Sequence, residues 1–428
     1  MRVLHITAHL GGGVGKVLAG VVAESMRRND GVRHVVACLE IPEKHQFIDQ
    51  LRSHGGEVLV RPSAHRLTQA VTRADIVQLE WWHHPLVAGW MCGGVLPRMR
   101  MIVWSHVSGL HPPVIPPRFV SAPHRFLFTS PCSWEHPTLT AIRPQLEERV
   151  GVVFSSGGFD EFPLPSERSL GKSLRVGYVG TLNFAKLHPR LLDFVAAVRR
   201  PKFRLALVGD PAAGVDLMAQ AMKAGLSAKL TLRGYRTDMA AELTGLDAMA
   251  YLLNPLHYGT TENALLEAMA MGVVPIVLDN PAERHLVTHD ETGLIIDSPA
   301  SFADALDWLA THPADYARLS SNACRFVRAH FAVSRTVDNL NTHYQAVLAE
   351  EKRAYDFRPI FGVEPADWFR ACQGNEAWRF GGDDRARNPA GRGPEFLYER
   401  TKSSVFHYRS VYETDERLAR WAQQLEAA

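Results

Sequence analysis

The chain has 428 residues, 46% hydrophobic and 21% charged, with a formal net charge of +2. That length exceeds one ordinary core and that balance is a globular one, so two domains are expected. No charge excess points to nucleic acid, no apolar run approaches the ~20 residues of a membrane span, and Met1-Arg2 leads straight into a strand pattern rather than a secretory leader. A cytoplasmic protein is expected, with peripheral contact at the inner membrane face allowed and oligomeric state undetermined. The five cysteines (Cys38, Cys92, Cys132, Cys324 and Cys372) have no C-x-x-C spacing and read as buried or free thiols, not a disulfide frame or zinc site.

In chain order, the first expected strand is Val3–Ile6, followed by His9-Leu10-Gly11-Gly12-Gly13-Val14-Gly15-Lys16-Val17-Leu18. A strand, glycines and a lysine suggest a phosphate cradle, with a helix beginning near Val14. The strict P-loop is absent, because Gly11 to Gly15 leaves three intervening residues and Val17 follows Lys16 where a hydroxyl is required. G-x-G-x-x-G fails too, since its third glycine falls on Lys16; a plain tight strand-to-helix turn explains the stretch equally well. Further strands are expected at 34–39, 58–60, 76–79, 101–104, 125–128 and 150–154. Trp81-Trp82-His83-His84 looks metal-like, yet neighbouring strand residues point to opposite faces and do not chelate together; core or an aromatic rim is the expected role.

Phe154–Pro165, rich in glycine and proline, reads as a linker. Strands are then expected at 174–178, 204–208, 229–232, 249–253, 274–278 and 294–296, again alternating with helical stretches. Continuous apolar strands between helices imply parallel sheets covered on both faces. The fold class is therefore α/β, with two Rossmann-like doubly wound domains facing across a cleft: residues 1–160, then 161–350 with its last helix crossing back, and an extension at 351–428. In that extension the stretches 381–385 and 388–394 read as loops. Leu418, Trp421, Ala422 and Leu425 share one helical face that needs an apolar partner, most simply this same chain.

The stretch Pro255–Val277 reads as loop, helix and buried strand. Thr260 or Thr261 is the expected helix cap, leaving N–H groups at the helix start for a phosphate, with Glu267 placed to accept ribose hydroxyls. This segment resembles the signature of retaining family 4 GT-B glycosyltransferases, in which a helix carrying E-A-x-A-x-G holds a sugar nucleotide. Val176–Thr181 through Lys186, Leu207–Asp210, Leu232–Tyr235, Glu291–Ile295, Ser105-His106 and Gly158–Pro163 fall in the family's order, so the resemblance covers about residues 1–350. It implies a nucleotide-sugar donor, UDP- or GDP-linked, with a glycan, lipid-linked or small-molecule acceptor. Transfer would retain anomeric configuration by front-face displacement, the departing phosphate oxygen helping to deprotonate the acceptor. Lys186, His106 and Glu262 would be catalytic. Glu267, Thr260, Thr261, Asn263, Ala264, Gly180, Thr181, Gly234, Tyr235 and Arg236 would bind donor, and Gly12, Gly13, Gly15 and Lys16 would line an acceptor or phosphate loop. With no D-x-D at a strand end, neither metal nor other cofactor is expected.

Two positions depart from the family pattern. Gly259 stands where the first glutamate of E-x7-E belongs, with Glu262 close after it, and Thr181 stands in place of an arginine. Lys186, aided by Lys16 or Arg236, would then carry the diphosphate charge. The alternatives are a GT-B-shaped nucleotide-sugar epimerase and a non-catalytic nucleotide-sugar-binding protein.

Overall fold

Thirteen strands occupy the stretches expected of them, in two wholly parallel sheets. The first contains β1 (Arg2–Thr7), β2 (Arg33–Cys38), β3 (Glu57–Val60) and β4 (Ile76–Trp81). After a short strand β5 (Leu96–Met99) it continues through β6 (Met101–Ser105), β7 (Arg125–Phe128) and β8 (Val150–Val152). Its spatial order is β3-β2-β1-β4-β6-β7-β8. The second sheet contains β9 (Val176–Val179), β10 (Leu205–Val208), β11 (Leu230–Gly234), β12 (Ala248–Tyr251), β13 (Val274–Leu278) and β14 (Leu294–Ile296), in the order β11-β10-β9-β12-β13-β14. The computed structural model describes the chain except residues 43–44, 147, 167, 172, 211–213, 382–392, 401–402 and 428. The loops read at 381–385 and 388–394 therefore lie largely outside the described residues.

Val, Ile, Leu and Ala dominate the central strands because helices cover both faces of each sheet; β4, β9, β12 and β13 are buried along their whole length. In each sheet the chain winds outward one way from its first strand and then returns to wind the other. That reversal lies between β1 and β4 in one sheet and between β9 and β12 in the other. Crevices for ligands form at the carboxyl ends of strands at such points.

Two compact units divide the chain. One comprises Met1–Ser155, Tyr258–Thr260 and Val333–Ala428; the other comprises Ser156–His257 and Thr261–Ala332. Within the first unit the helix Val333–Leu348 packs on the opening helix Gly12–Arg28, where Arg28 Nη2 donates to the Ser334 carbonyl and Asn341 Nδ2 to Asp30. The chain then adds β15 (Arg353–Tyr355), antiparallel to β5. Phe357, Phe361, Trp368, Phe369 and Tyr408 join the same core as Trp81, Met91 and Phe119. The terminal helix Glu416–Glu426 buries Leu418, Trp421 and Ala422, with Leu425 packed alongside.

Candidate functional site

At the carboxyl ends of β9 and β12, the second unit gathers an ion pair. The loop after β9 turns through Gly180, whose φ is +148 and where a Cβ would lie 2.7 Å from the Tyr178 hydroxyl. Tyr178 in turn donates to the Thr181 carbonyl at 3.0 Å. Lys186 is fixed by its backbone, its N–H donating to Asn183 and its carbonyl accepting from Asn254. Its Nζ lies 2.7 Å from each oxygen of Glu262, so one carboxylate takes two of its three donors. Tyr251, the last residue of β12, donates its hydroxyl to Glu262 Oε2 at 2.6 Å. His257 Nδ1 lies 3.8 Å from Glu262 Oε1, and its Nε2 reaches Glu283 at 3.3 Å.

Burial alone would raise the Glu262 carboxyl, but the charge of Lys186, His257 and the two donated hydrogen bonds outweigh it and hold the group at about 2. Tyr251 is pushed well above the ordinary phenol range by burial and by the same carboxylate. Glu262 is thus permanently ionised at neutral pH and makes a poor proton acceptor. What it does is hold Lys186.

The helix expected behind this pair begins at Asn263, with Glu262 at its cap position and no side-chain cap bond. The expectation that Thr260 or Thr261 caps it is corrected. Thr260 falls in the first unit, its Oγ1 2.7 Å from Thr129 Oγ1, so its side chain is engaged elsewhere. The helix Asn263–Ala270 keeps Asn263 and Ala264 half-buried in its first turn and buries Glu267 one turn on. Gly234, with φ +75, ends β11, and Tyr235 beyond it is exposed. Arg236 pairs with Glu242 at 3.4 Å, a carboxylate it shares with Arg233.

In the first unit, His106 follows β6 and anchors its N–H on the Trp81 carbonyl. Its Nε2 lies 2.7 Å from Glu80 Oε2. Glu80 is buried within β4, where its other oxygen meets His5 Nδ1 at 2.9 Å and Gln78 Nε2 at 2.8 Å. His5 Nε2 continues to His34 at 2.9 Å, and Tyr344 donates to Gln78. Burial works to raise the Glu80 carboxyl, yet the bonds from His106 and His5 leave it below its usual range, while burial drops His34 to about 3. A single carboxylate thus holds His106 directly and is itself held by His5 and Gln78. None of Glu80, His5, Tyr251 or His257 was singled out from the sequence. The available signal was polar residues at alternate positions of otherwise apolar strands, as Gln78 and Glu80 in β4.

The opening helix starts at Gly12, not near Val14, with Gly11 at its cap. Gly12 has φ +62, and a Cβ on Gly15 would lie 2.1 Å from the Leu10 carbonyl, so Gly15 lets the helix pack closely on the loop that leads into it. Gly12 and Gly13 are exposed and Lys16 half-buried. His83 and His84 diverge: His83 meets the Trp368 carbonyl at 3.0 Å, whereas His84 lies near His9 and Glu40. Among the described residues, His9, Glu40 and His84 form one group of metal-type ligand atoms, all within 4.8 Å of one another.

A family model described as glycosyl transferases group 1 matches residues 173–312, the stretch that holds Lys186, Glu262 and Glu267. That segment is similar to the glycosyl transferases group 1 family. The chain is 36% identical over 104 residues to YtcC of Bacillus subtilis (strain 168), 24% of this chain and 25% of that protein. It is 32% identical over 79 residues to glycosyltransferase 1 domain-containing protein 1 of Xenopus tropicalis, 18% of this chain and 23% of that protein. The matches thus span about a quarter of the length of these curated relatives. Anabaena Alr3699/HepE, solved in complex with UDP-glucose, superposes with a TM-score of 0.64 at 17% identity, over 81% of this chain and all of that one. At that identity the likeness is one of fold: two α/β parallel-sheet units of the GT-B type, here with a helical C-terminal extension. Among the described residues no helix is long and apolar enough to cross a membrane.

Proposed function

We propose that the chain is a retaining glycosyltransferase that moves a sugar from a UDP- or GDP-linked donor to the hydroxyl of a glycan, lipid-linked or small-molecule acceptor, without a metal. The observation that carries this reading is the Lys186–Glu262 pair at the head of the helix Asn263–Ala270, inside the group 1 segment. The positive end of that helix's dipole suits a diphosphate, while Lys186 has a third donor beyond the two that Glu262 takes. Because the pair is neutral as a whole, the helix amides carry more of the leaving-group charge than they would beside an unpaired lysine. Glu267, one turn on, is the group for the ribose hydroxyls. Glu262 acts as a positioning residue, and the leaving phosphate oxygen rather than a carboxylate takes the acceptor proton. HepE was solved with UDP-glucose, which favours a UDP-linked donor here.

The first experiment is thermal unfolding against UDP, GDP, dTDP, ADP and CMP, with and without magnesium. A ligand at a hundred times its Kd stabilises by ~2.7 kcal/mol, and a shift with one nucleotide that is independent of magnesium is expected. No shift with any of the five would sink the reading. Product analysis follows: donor consumed without an acceptor would mark an epimerase, and an inverted product would remove the retaining assignment.

A further inference from the structure

We infer that Glu283, acting through His257, is a positioning residue for the Glu262–Lys186 pair, so that an acid sealed inside the second unit sets where the Lys186 ammonium stands. Calling that ammonium a phosphate ligand rests on the transferase reading; the row of side chains itself does not.

The row crosses the carboxyl ends of three neighbouring strands, β13, β12 and β9. After β13, Asn280 Nδ2 donates to Glu283 Oε1 at 3.3 Å. Glu283 Oε2 meets His257 Nε2, in the loop after β12, also at 3.3 Å. The other ring nitrogen of His257 faces Glu262, with Nδ1 3.8 Å from Oε1. The same Oε1 accepts from Lys186 Nζ, in the loop after β9, at 2.7 Å. Glu262 is thus bracketed, by Tyr251 at Oε2 and by His257 at Oε1. At 3.8 Å the His257 contact is electrostatic and steric, not a hydrogen bond, so it depends on which way the ring is turned.

Stability does not account for a carboxyl at position 283. Glu283 has no exposed surface, and two hydrogen bonds of 3.3 Å return little of the cost of taking an acid out of water. A well-packed apolar residue commonly serves such a place as well or better. The main chain does not need it either. Asn254 N–H donates to the Lys186 carbonyl at 2.9 Å, Asn254 Nδ2 to the Phe184 carbonyl at 2.8 Å, and the Asn254 carbonyl accepts from His257 N–H at 2.9 Å. One asparagine therefore stitches the two loops together. Those bonds place main chains, whereas the His257 ring is held at Nε2 by Glu283, and that hold decides what Nδ1 presents to Glu262. His257 is itself only 5% exposed, so its route to a ligand runs through Glu262 and Lys186.

The test uses the full chain carrying Glu283→Leu, Glu283→Gln or His257→Leu, each made alone and together with Glu262→Gln. Two quantities are read on each: the rate at which acetic anhydride acetylates Lys186, followed by peptide mass spectrometry, and the calorimetric Kd of the nucleotide that shifts the melting of the parent. Only the unprotonated amine reacts, so loosening the pair speeds acetylation. Both leucine variants are expected to speed it about fivefold and to raise that Kd about tenfold, the scale on which a supporting residue acts through its neighbour. His257→Leu carries the comparison if Glu283→Leu does not fold. Glu283→Gln, which keeps the hydrogen bond, should stay within about threefold of the parent in both quantities. With Glu262→Gln present, the leucine substitutions should change either quantity less than about twofold, because their route to Lys186 has been cut. The inference is overturned if the leucine variants leave Lys186 acetylation unchanged, if they change it by the same factor when Glu262→Gln is present, or if Glu283→Gln behaves as Glu283→Leu does. A response of Lys186 acetylation in a protein that binds none of the five nucleotides would leave the positioning role standing and remove the transferase reading.

Discussion

The two strand-end clusters solve the same problem, a carboxylate buried at the end of a parallel sheet, in opposite ways. In the second unit Glu262 is matched by a full positive charge, Lys186, with Tyr251 and His257 around it. In the first unit Glu80 is matched by imidazole and amide donors from His106, His5 and Gln78. A lysine–carboxylate pair stores free energy that appears when one partner is removed, whereas several imidazole and amide contacts spread the contribution over separate bonds. The first arrangement holds a lysine charge in place; the second holds the His106 ring in one orientation.

The sharpest way to break this contrast is Lys186→Met, which strands Glu262 without its charge partner. It is expected to destabilise the protein by about 3–5 kcal/mol in urea unfolding and to abolish the nucleotide melting shift. A loss below 1 kcal/mol would make the pair a surface contact in energetic terms. Acid unfolding measures the same pair from the other side. The folded Glu262 carboxyl lies near 2 against an ordinary 4.5, so its stabilisation, ~3 kcal/mol, is present above about 4.5 and lost as pH falls toward 2. In Glu262→Gln that part of the pH dependence should vanish, and its persistence would assign the acid transition elsewhere.

Glu80→Gln is the counterpart in the first unit. Because it removes the charge but leaves an amide in reach of His106 and His5, a loss of about 1–3 kcal/mol is expected, with the nucleotide shift intact. Smallest is Tyr251→Phe, which deletes one hydrogen bond to Glu262. It should cost ~1 kcal/mol and move the acid midpoint upward, since that bond helps hold the carboxyl low.

Much of the fold was legible because parallel strands covered on both faces must be apolar along their length, as β4 and β12 are. β5 and β15 escaped because they are short and mixed: Pro97 and Arg98 interrupt one, and the other is only Arg353-Ala354-Tyr355. The places of Glu262 and Glu267 followed from local order along the helix segment, whereas Lys186 lies 76 residues earlier and its pairing with Glu262 could not be read from spacing. What the helix does at its first turn was not, because the hydroxyl of Thr260 is drawn off to Thr129. The histidine cluster had no readable spacing at all. His9, Glu40, His84 and His407 come from four separate stretches and meet only after the strands are laid side by side.

The first unit is assembled from both ends of the chain: Leu4 and Trp421 lie in one apolar core, and the intervening unit interrupts it. Contacts so distant in sequence are slow to form, since the loop between them must close before they gain anything. During synthesis, then, the half that leaves the ribosome first is the half that is finished last. β4 and the helix Pro85–Cys92 await Trp368, Tyr408 and Trp421 with their apolar faces uncovered, and a chain stopped short of those residues would present that surface to chaperones and proteases.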